Sequence, residues 1–434
     1  MQVPQATPIG DVRDRWSWTE SAVWTDRMLT ALERGAKGGV WYSLIDKVWS
    51  VSNLQASWAH VASNGGAAGV DRVTIDRFCV RLESELDKLS QDLRDGTYRP
   101  QAVRRAWIDK PGSPEKRPLG IPTVRDRIVQ GAVRHVLEPV FEKEFAEHSY
   151  GFRPGRGCKD ALRRVDELVK GEHVHIVDAD LKGYFDSIPH ERLIERVRER
   201  VTDGRMLALV ESFLKAEILD DLKRWTPETG APQGAVLSPL LSNIYLDPLD
   251  HLMAGRGFEM VRYADDFVIL CRTREEAEQA LELVREWVAE NGLVLHPVKT
   301  KIADARTDGF DFLGYHFRGR NLWPRKKSEK KLKDTVHRKT LRTDGRSLSV
   351  IIADVNVTLR GWFEYFQHSA SWTFPAIDGW IRSRLRAILR KRTHRRGHAR
   401  NPNDHRRWPN EFFAELGLYD LKAAHAEACR SSRR

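Results

Sequence analysis

Apolar positions along this chain follow two rhythms. Leu82, Leu86 and Leu89 recur at helical spacing, as do Leu359, Trp362, Phe363 and Phe366, and an amphipathic helix is predicted around Trp24 to Leu29. Trp41, Leu44, Val48 and Leu54 continue an apolar stripe until the glycine-rich run from Asn64 to Asp71 ends it. Short apolar runs bounded by turn residues predict strands instead. Trp107-Ile108 and Leu119-Ile121 flank a polar hairpin loop, Ile176-Val177 reads as a short buried strand, and Val261 to Leu270 reads as an apolar hairpin. Helices are predicted to start near Lys159, near Pro189 and after the Gln233-Gly234 turn.

Carboxylates break this pattern at two places. Asp265 and Asp266 interrupt the 261–270 hairpin, and Asp178 and Asp180 end the Ile176-Val177 strand. An exposed acidic turn accounts for the first alone. Taken together, the two clusters form an oxygen-donor set suited to Mg²⁺, which binds few carboxylates and leaves room for substrate phosphates. Two such ions stabilise both the attacking and the leaving oxygen of a phosphoryl transfer. His173 and His175 are expected to be satisfied locally. Lys110, Lys116 and Arg117 lie on the 110–118 loop, either to cover a triphosphate or as a solvated edge. Arg153 and Arg156 sit among glycines in Ser149–Gly157, where they offer forks for phosphate.

Size and charge narrow the class. At 434 residues, with 41% hydrophobic and 31% charged, the chain is expected to be globular and to hold two or three domains. No apolar run is long enough to span a membrane, and Met1-Gln2-Val3-Pro4 lacks the features of a secretion signal. Four scattered cysteines form no zinc or disulfide pattern, so a reducing cytoplasm is expected. The net charge of +11 is unevenly spread: residues 320–434 hold 27 Lys and Arg against 11 Asp and Glu (+16), and the first 319 hold 45 against 50 (−5). A basic C-terminal quarter in a chain with 14 tryptophans points to a polyanion, and to RNA in particular, whose unpaired bases stack on rings and guanidinium planes.

Five motifs then fall in a familiar order: Arg117-Pro118-Leu119-Gly120-Ile121-Pro122-Thr123, Ser149-Tyr150-Gly151-Phe152-Arg153-Pro154-Gly155-Arg156, Asp180-Leu181-Lys182-Gly183-Tyr184-Phe185-Asp186, Pro232-Gln233-Gly234 with Ser238-Pro239-Leu240-Leu241, and Tyr263-Ala264-Asp265-Asp266. In this the chain resembles the reverse transcriptases and maturases encoded by bacterial group II introns. The resemblance runs over residues 45–395 and takes in Gly292–Thr300 and Phe310–Tyr315 as the last two polymerase blocks.

The resemblance implies an α+β right-hand polymerase, with an N-terminal extension (1–45), fingers and palm (46–319), an α-helical thumb or maturase domain (320–395) and a basic C-terminal tail (396–434). It implies that Asp180, Asp265 and Asp266, with the Leu181 carbonyl, hold two Mg²⁺ ions, Mn²⁺ being a substitute. Lys110, Arg117, Phe185 and Gln233 would bind the incoming nucleotide, Phe185 by excluding a ribose 2′-OH. Lys299 would act as general acid at the pyrophosphate. Arg125, Arg153 and Arg156 would touch template or primer, Gly314 and Tyr315 would form the primer grip, and Arg382, Arg384, Arg386 and Arg390 would face intron RNA. The implied partners are group II intron RNA, a DNA target or primer and deoxynucleotides, with no membrane; a homodimer stays open, and the implied location is the bacterial cytoplasm, at the nucleoid during integration. The lack of cysteine pairs near Cys429 suggests the endonuclease-lacking class. The expected function is RNA-directed DNA synthesis together with assistance to splicing. The alternatives are a splicing maturase with an idle polymerase and a related enzyme of phage defence, separable by the genes and intron RNA domains around the coding sequence.

Overall fold

The computed structural model describes residues 10–109, 116–394 and 402–431, with the backbone alone at residues 36 and 37. Lys110 lies outside the described residues. The chain divides into two compact units, Met1–Ala161 with Val177–Lys301, and Leu162–Ile176 with Ile302–Arg434.

In the first unit the long helices Val51–Asn64 and Val124–Glu142 pack closely: Ser57 Oγ donates to the Ile128 carbonyl at 2.7 Å, against the side-chain-free flank of Gly131. Trp24 is fully buried, and its indole N–H donates to the His135 carbonyl at 2.9 Å, which ties the N-terminal segment down. Strands β1 (Val103–Asp109) and β2 (Lys116–Ile121) pair antiparallel, Ile108 opposite Arg117, so the predicted hairpin is present. Strand β3 (His175–Asp180) follows; β4 (Ile218–Asp220) lies beside β1, and β5 (Lys223–Trp225) closes that sheet in the order β2-β1-β4-β5. Strands β6 (Glu259–Tyr263) and β7 (Asp266–Cys271) form the apolar hairpin, with β7 between β6 and β3.

The second unit takes over within β8 (Lys301–Asp304). Its three-stranded sheet, β9 (Phe310–Phe312), β10 (Tyr315–Arg318) and β11 (Asn321–Pro324), has β10 in the centre. Helices Lys326–Lys339, Leu348–Phe366 and Thr373–Arg392 share a core that includes Leu332, Ile351, Leu359, Phe363, Phe374 and Leu385. The compact units divide at 301, and β10 packs on the helices that follow it: Tyr315 lies against Phe366, with ring centroids 4.9 Å apart, and its hydroxyl donates to the Tyr365 carbonyl at 2.6 Å. The expected basic tail also contains structure. Residues 402–431 form helices Pro402–Arg407, Asn410–Glu415 and Leu421–Ser431; Trp408, Phe413 and Leu421 are buried in that core, while the polar helix Pro402–Arg407 is held through its buried Asp404, which pairs with Arg390. Among the described residues, no helix is long and apolar enough to cross a membrane.

Candidate active site

The β6–β7 hairpin turns over two residues, with Tyr263 opposite Asp266. Ala264, the first of the two, has φ of +59°, the handedness that a two-residue hairpin loop needs and that a residue with a Cβ adopts at a cost of roughly 1–2 kcal/mol. A buried guanidinium offsets this cost. Arg262 is 0% exposed; one of its terminal nitrogens donates to the Ala264 carbonyl at 2.9 Å and to Asn243 Oδ1 at 3.0 Å, and Nε and the other terminal nitrogen grip Asp250 at 2.5–2.9 Å. Asn243 and Asp250 lie seven residues apart, two turns along one face of the helix Ser238–Gly255. Beneath the turn, Tyr150 N–H donates to the Arg262 carbonyl at 2.8 Å and Asn243 Nδ2 to the Gly151 carbonyl at 2.7 Å. A Cβ on Gly151 would come within 2.3 Å of the Ala264 nitrogen, so this glycine is what lets the loop underlie the acidic turn.

The carboxylates are placed by this frame. Burial above all raises the Asp265 pKa; its own backbone N–H lowers it, the negative charge of Asp180 raises it again, and Arg117 and Arg262 lower it. Asp180 and Asp265 therefore repel each other in a partly dry setting, an arrangement that attracts a cation. Lys299 answers at one end, its ammonium 2.5 Å from Asp180 Oδ2, held on a segment where His296 N–H donates to the Asp180 carbonyl at 2.7 Å. Lys182 N–H reciprocates to Val294 at 2.8 Å; because this ladder engages residues 180 and 182, the Leu181 carbonyl is directed away from Leu295. Asp266 is exposed at the head of β7. Among the described residues, no three acidic, histidine or cysteine side chains yet converge tightly enough to hold a metal ion. The donor set itself, two or three carboxylates and a carbonyl, fits a hard divalent ion. Tyr263 packs toward Phe152, ring centroids 6.3 Å apart, and its hydroxyl pKa is pushed up to about 12 by burial and by Cys158.

Phe185 is half-buried and edge-on to Tyr184, with centroids 5.5 Å apart, and its carbonyl accepts from Ala231 N–H at 2.7 Å. Gly120 N–H donates to the Gln233 carbonyl at 2.6 Å, joining β2 to the same loop. The expected nucleotide-side residues Arg117, Phe185 and Gln233 are thus linked through β2 and the 231–234 loop.

Several expected contact residues have other work. Arg153 is 7% exposed and holds its own loop, binding Glu142 through Nε and a terminal nitrogen at 2.8–3.0 Å and the carbonyls of Ala146 and Ser149 at 2.6 and 2.7 Å. Arg156 donates to the Glu147 carbonyl, and Arg125 pairs with Asp92. The Tyr315 side chain is core, and Gly314, at φ +88°, accepts from Arg325 N–H and Ser328 Oγ at 3.0 and 2.9 Å. None of the four arginines expected to be exposed is so. Arg382 pairs with Asp420, Arg384 donates to Thr340, Arg386 (1% exposed) donates to the Trp408 carbonyl and Asn410 Oδ1, both at 2.9 Å, and Arg390 pairs with the buried Asp404. For Arg382, Arg386 and Arg390 the reason is the C-terminal segment, which brings Asp420, Trp408, Asn410 and Asp404 to this face; Arg384 meets Thr340 at the end of the helix Lys326–Lys339. Arg262, Asn243 and Asp250 escaped the sequence reading, although an arginine inside an apolar strand was a visible signal.

A cation-seeking carboxylate hairpin next to a basic two-stranded hairpin defines a polymerase of the right-hand class, and the comparisons agree. Residues 108–317 match the family model "Reverse transcriptase (RNA-dependent DNA polymerase)" and residues 329–408 match "Group II intron, maturase-specific domain". Over 196 residues the chain is 42% identical to the group II intron-encoded protein LtrA of Lactococcus lactis subsp. cremoris, covering 45% of this chain and 32% of that protein, so the chain spans about a third of its length. It is 32% identical over 330 residues to protein YkfC of Escherichia coli K12, covering 67% of this chain and 85% of YkfC. A solved partial Cas6-RT-Cas1–Cas2 complex matches at 26% identity over 57% of this chain and 41% of that one, with a TM-score of 0.38. The chain belongs to the group II intron-encoded reverse transcriptases.

Proposed function

We propose that this chain copies RNA into DNA by phosphoryl transfer from deoxynucleoside triphosphates to a DNA primer, and that its second unit binds group II intron RNA and assists splicing. The observation that carries the first half is the Asp180–Asp265 pair, two mutually repelling carboxylates, one at the end of β3 and the other on the hairpin that Arg262 locks from below. Members of this family depend on divalent metal; when bound here, two Mg²⁺ ions, or Mn²⁺ in their stead, would be held by Asp180, Asp265, Asp266 and the Leu181 carbonyl and would stabilise the oxygens gaining charge. The chain's own residues do the rest. Arg117, whose positive charge acts on Asp265, is assigned to the triphosphate. Phe185 is assigned to exclusion of a 2′-OH, Gln233 to the sugar, and Lys299 to delivery of a proton to the pyrophosphate oxygen. Primer extension on an RNA template tests this reading: Asp265→Ala must lower it by about a thousandfold without lowering the melting temperature.

For RNA binding, the observations favour the helix Lys326–Lys339 over the helix Thr373–Arg392. Lys326, Lys327, Lys330, Lys331 and Arg338 are exposed there, and Trp372, 57% exposed, stands against Trp323 with ring centroids 5.2 Å apart, an open face for a base. Charge and stacking together are what a folded RNA requires.

A further inference from the structure

Behind the Gln233 loop lies a cavity of 640 Å³, lined by Arg105, Trp107, Trp225, Asp186, Glu228 and Gln233 among others. It exists because of strand alternation and one missing side chain. Arg105 and Trp107 point to the same side of β1, and the residue opposite Arg105 is Gly120. The Arg105 guanidinium carbon lies 4.9 Å from the centroid of the Trp225 ring and 5.6 Å from that of Trp107. Trp107 is oriented by its indole N–H, which donates to Asp220 Oδ1 at 3.2 Å. Both side chains stay partly exposed, at 49% and 36%. The volume lies within the roughly 300–1,000 Å³ of ordinary ligand pockets.

We propose that this cavity takes one unpaired base of the RNA template, the nucleotide next in line to be copied. The proposal rests on the polymerase reading above. Two tryptophans and an arginine between them form a stacking platform that accepts any base. Asp186 and Glu228 make the interior unfavourable for a phosphate and offer acceptors to the N–H edge of a base, so the base enters and the backbone stays outside. The template is the matching occupant because the cavity shares a wall with the copying site: Gln233 lines it, Asp186 follows Phe185, and Gly120 N–H holds the Gln233 carbonyl. A base held there is kept from pairing early and is one step from the position opposite the incoming nucleotide.

The test uses the full chain with a primer–template whose first nucleotide beyond the templating base is 2-aminopurine, read by fluorescence without any deoxynucleotide. The wild type should quench the probe, and a template lacking that nucleotide should bind about tenfold more weakly. Trp107→Ala and Trp225→Ala should each remove the quench and most of the affinity difference, Trp225→Phe should restore both, and all three should extend a primer on the template that ends at the templating base. Equal quenching by wild type and both alanine variants would overturn the proposal. So would displacement of the probe by free dATP, which would mark the cavity as a site for mononucleotides. If the wild type quenches the probe yet extends no primer, the pocket stands and the polymerase reading falls; extension without quenching has the opposite meaning.

Discussion

The β6–β7 hairpin and the helix Thr373–Arg392 both mix charge with apolar residues, and they use it in opposite ways. In the hairpin, the guanidinium is sealed inside and the carboxylates are carried outward. Arg262 spends its donors on Asp250, Asn243 and the Ala264 carbonyl, which holds a strained turn whose Asp265 feels both burial and the negative charge of Asp180. In the helix, the cations themselves are consumed, since Arg382, Arg384, Arg386 and Arg390 all hold acceptors brought by other segments of the same unit. A charged side chain thus becomes a contact for a ligand where the fold leaves its charge unanswered, and a strut where the fold answers it. Linear sequence reports the charge and not the answer.

The largest effect expected from breaking this contrast is at the hairpin's outer side. Asp265→Ala should lower single-turnover primer extension by about a thousandfold, the equivalent of about 4 kcal/mol of transition-state stabilisation, with the melting temperature unchanged or raised because a buried carboxylate is removed. On the inner side, Arg262→Met leaves Asp250 buried and unpaired. It should cost about 3–5 kcal/mol in chemical denaturation and reduce extension as well, and Arg262→Met with Asp250→Leu should recover stability but not activity, because the Ala264 carbonyl stays unheld.

In the second unit the same kind of substitution should separate strut from contact. Arg386→Ala should cost about 2 kcal/mol of stability through lost buried hydrogen bonds and leave intron RNA affinity unchanged. Lys327→Ala with Lys331→Ala should do the reverse, with the slope of log affinity against log salt falling by about 0.7 for each lysine that neutralises a phosphate. If Arg386→Ala weakened RNA binding at unchanged stability, the distinction would fail.

The smallest effect concerns pH. Asp378 receives the N–H groups of Leu421 and Lys422 at 3.1 and 3.0 Å, yet burial dominates and pushes its pKa up to about 6. A carboxyl whose pKa is raised by folding adds stability below its unfolded value of about 3.9 and loses that contribution as pH rises through the folded value. Between pH 7 and pH 4 the wild type should therefore gain stability relative to Asp378→Asn, a difference readable from their melting temperatures across that range. A constant difference would sink the assignment.

Much of the site was legible before any coordinates. The apolar hairpin with its two aspartates, the strand ending in Asp180 and the cationic β1–β2 hairpin all rest on local pattern, period two with turn residues at the breaks, and local pattern is what sequence carries. Helical stripes such as Leu359, Phe363 and Phe366 were equally plain, and they are core. What the chain's order alone could not decide was which polar groups meet across long separations. Arg153 looked like a phosphate fork until the acceptors of its loop closed on it, and residues 402–431 looked like a tail until their apolar faces met the helical core. Burial of a polar group is allowed only where partners arrive, and partners more than a hundred residues apart, such as Asp180 and Lys299, are brought together by packing rather than by sequence. The sequence determined the family, the elements and the acidic residues; the tertiary structure alone decided which charges are spent on the fold and which are not.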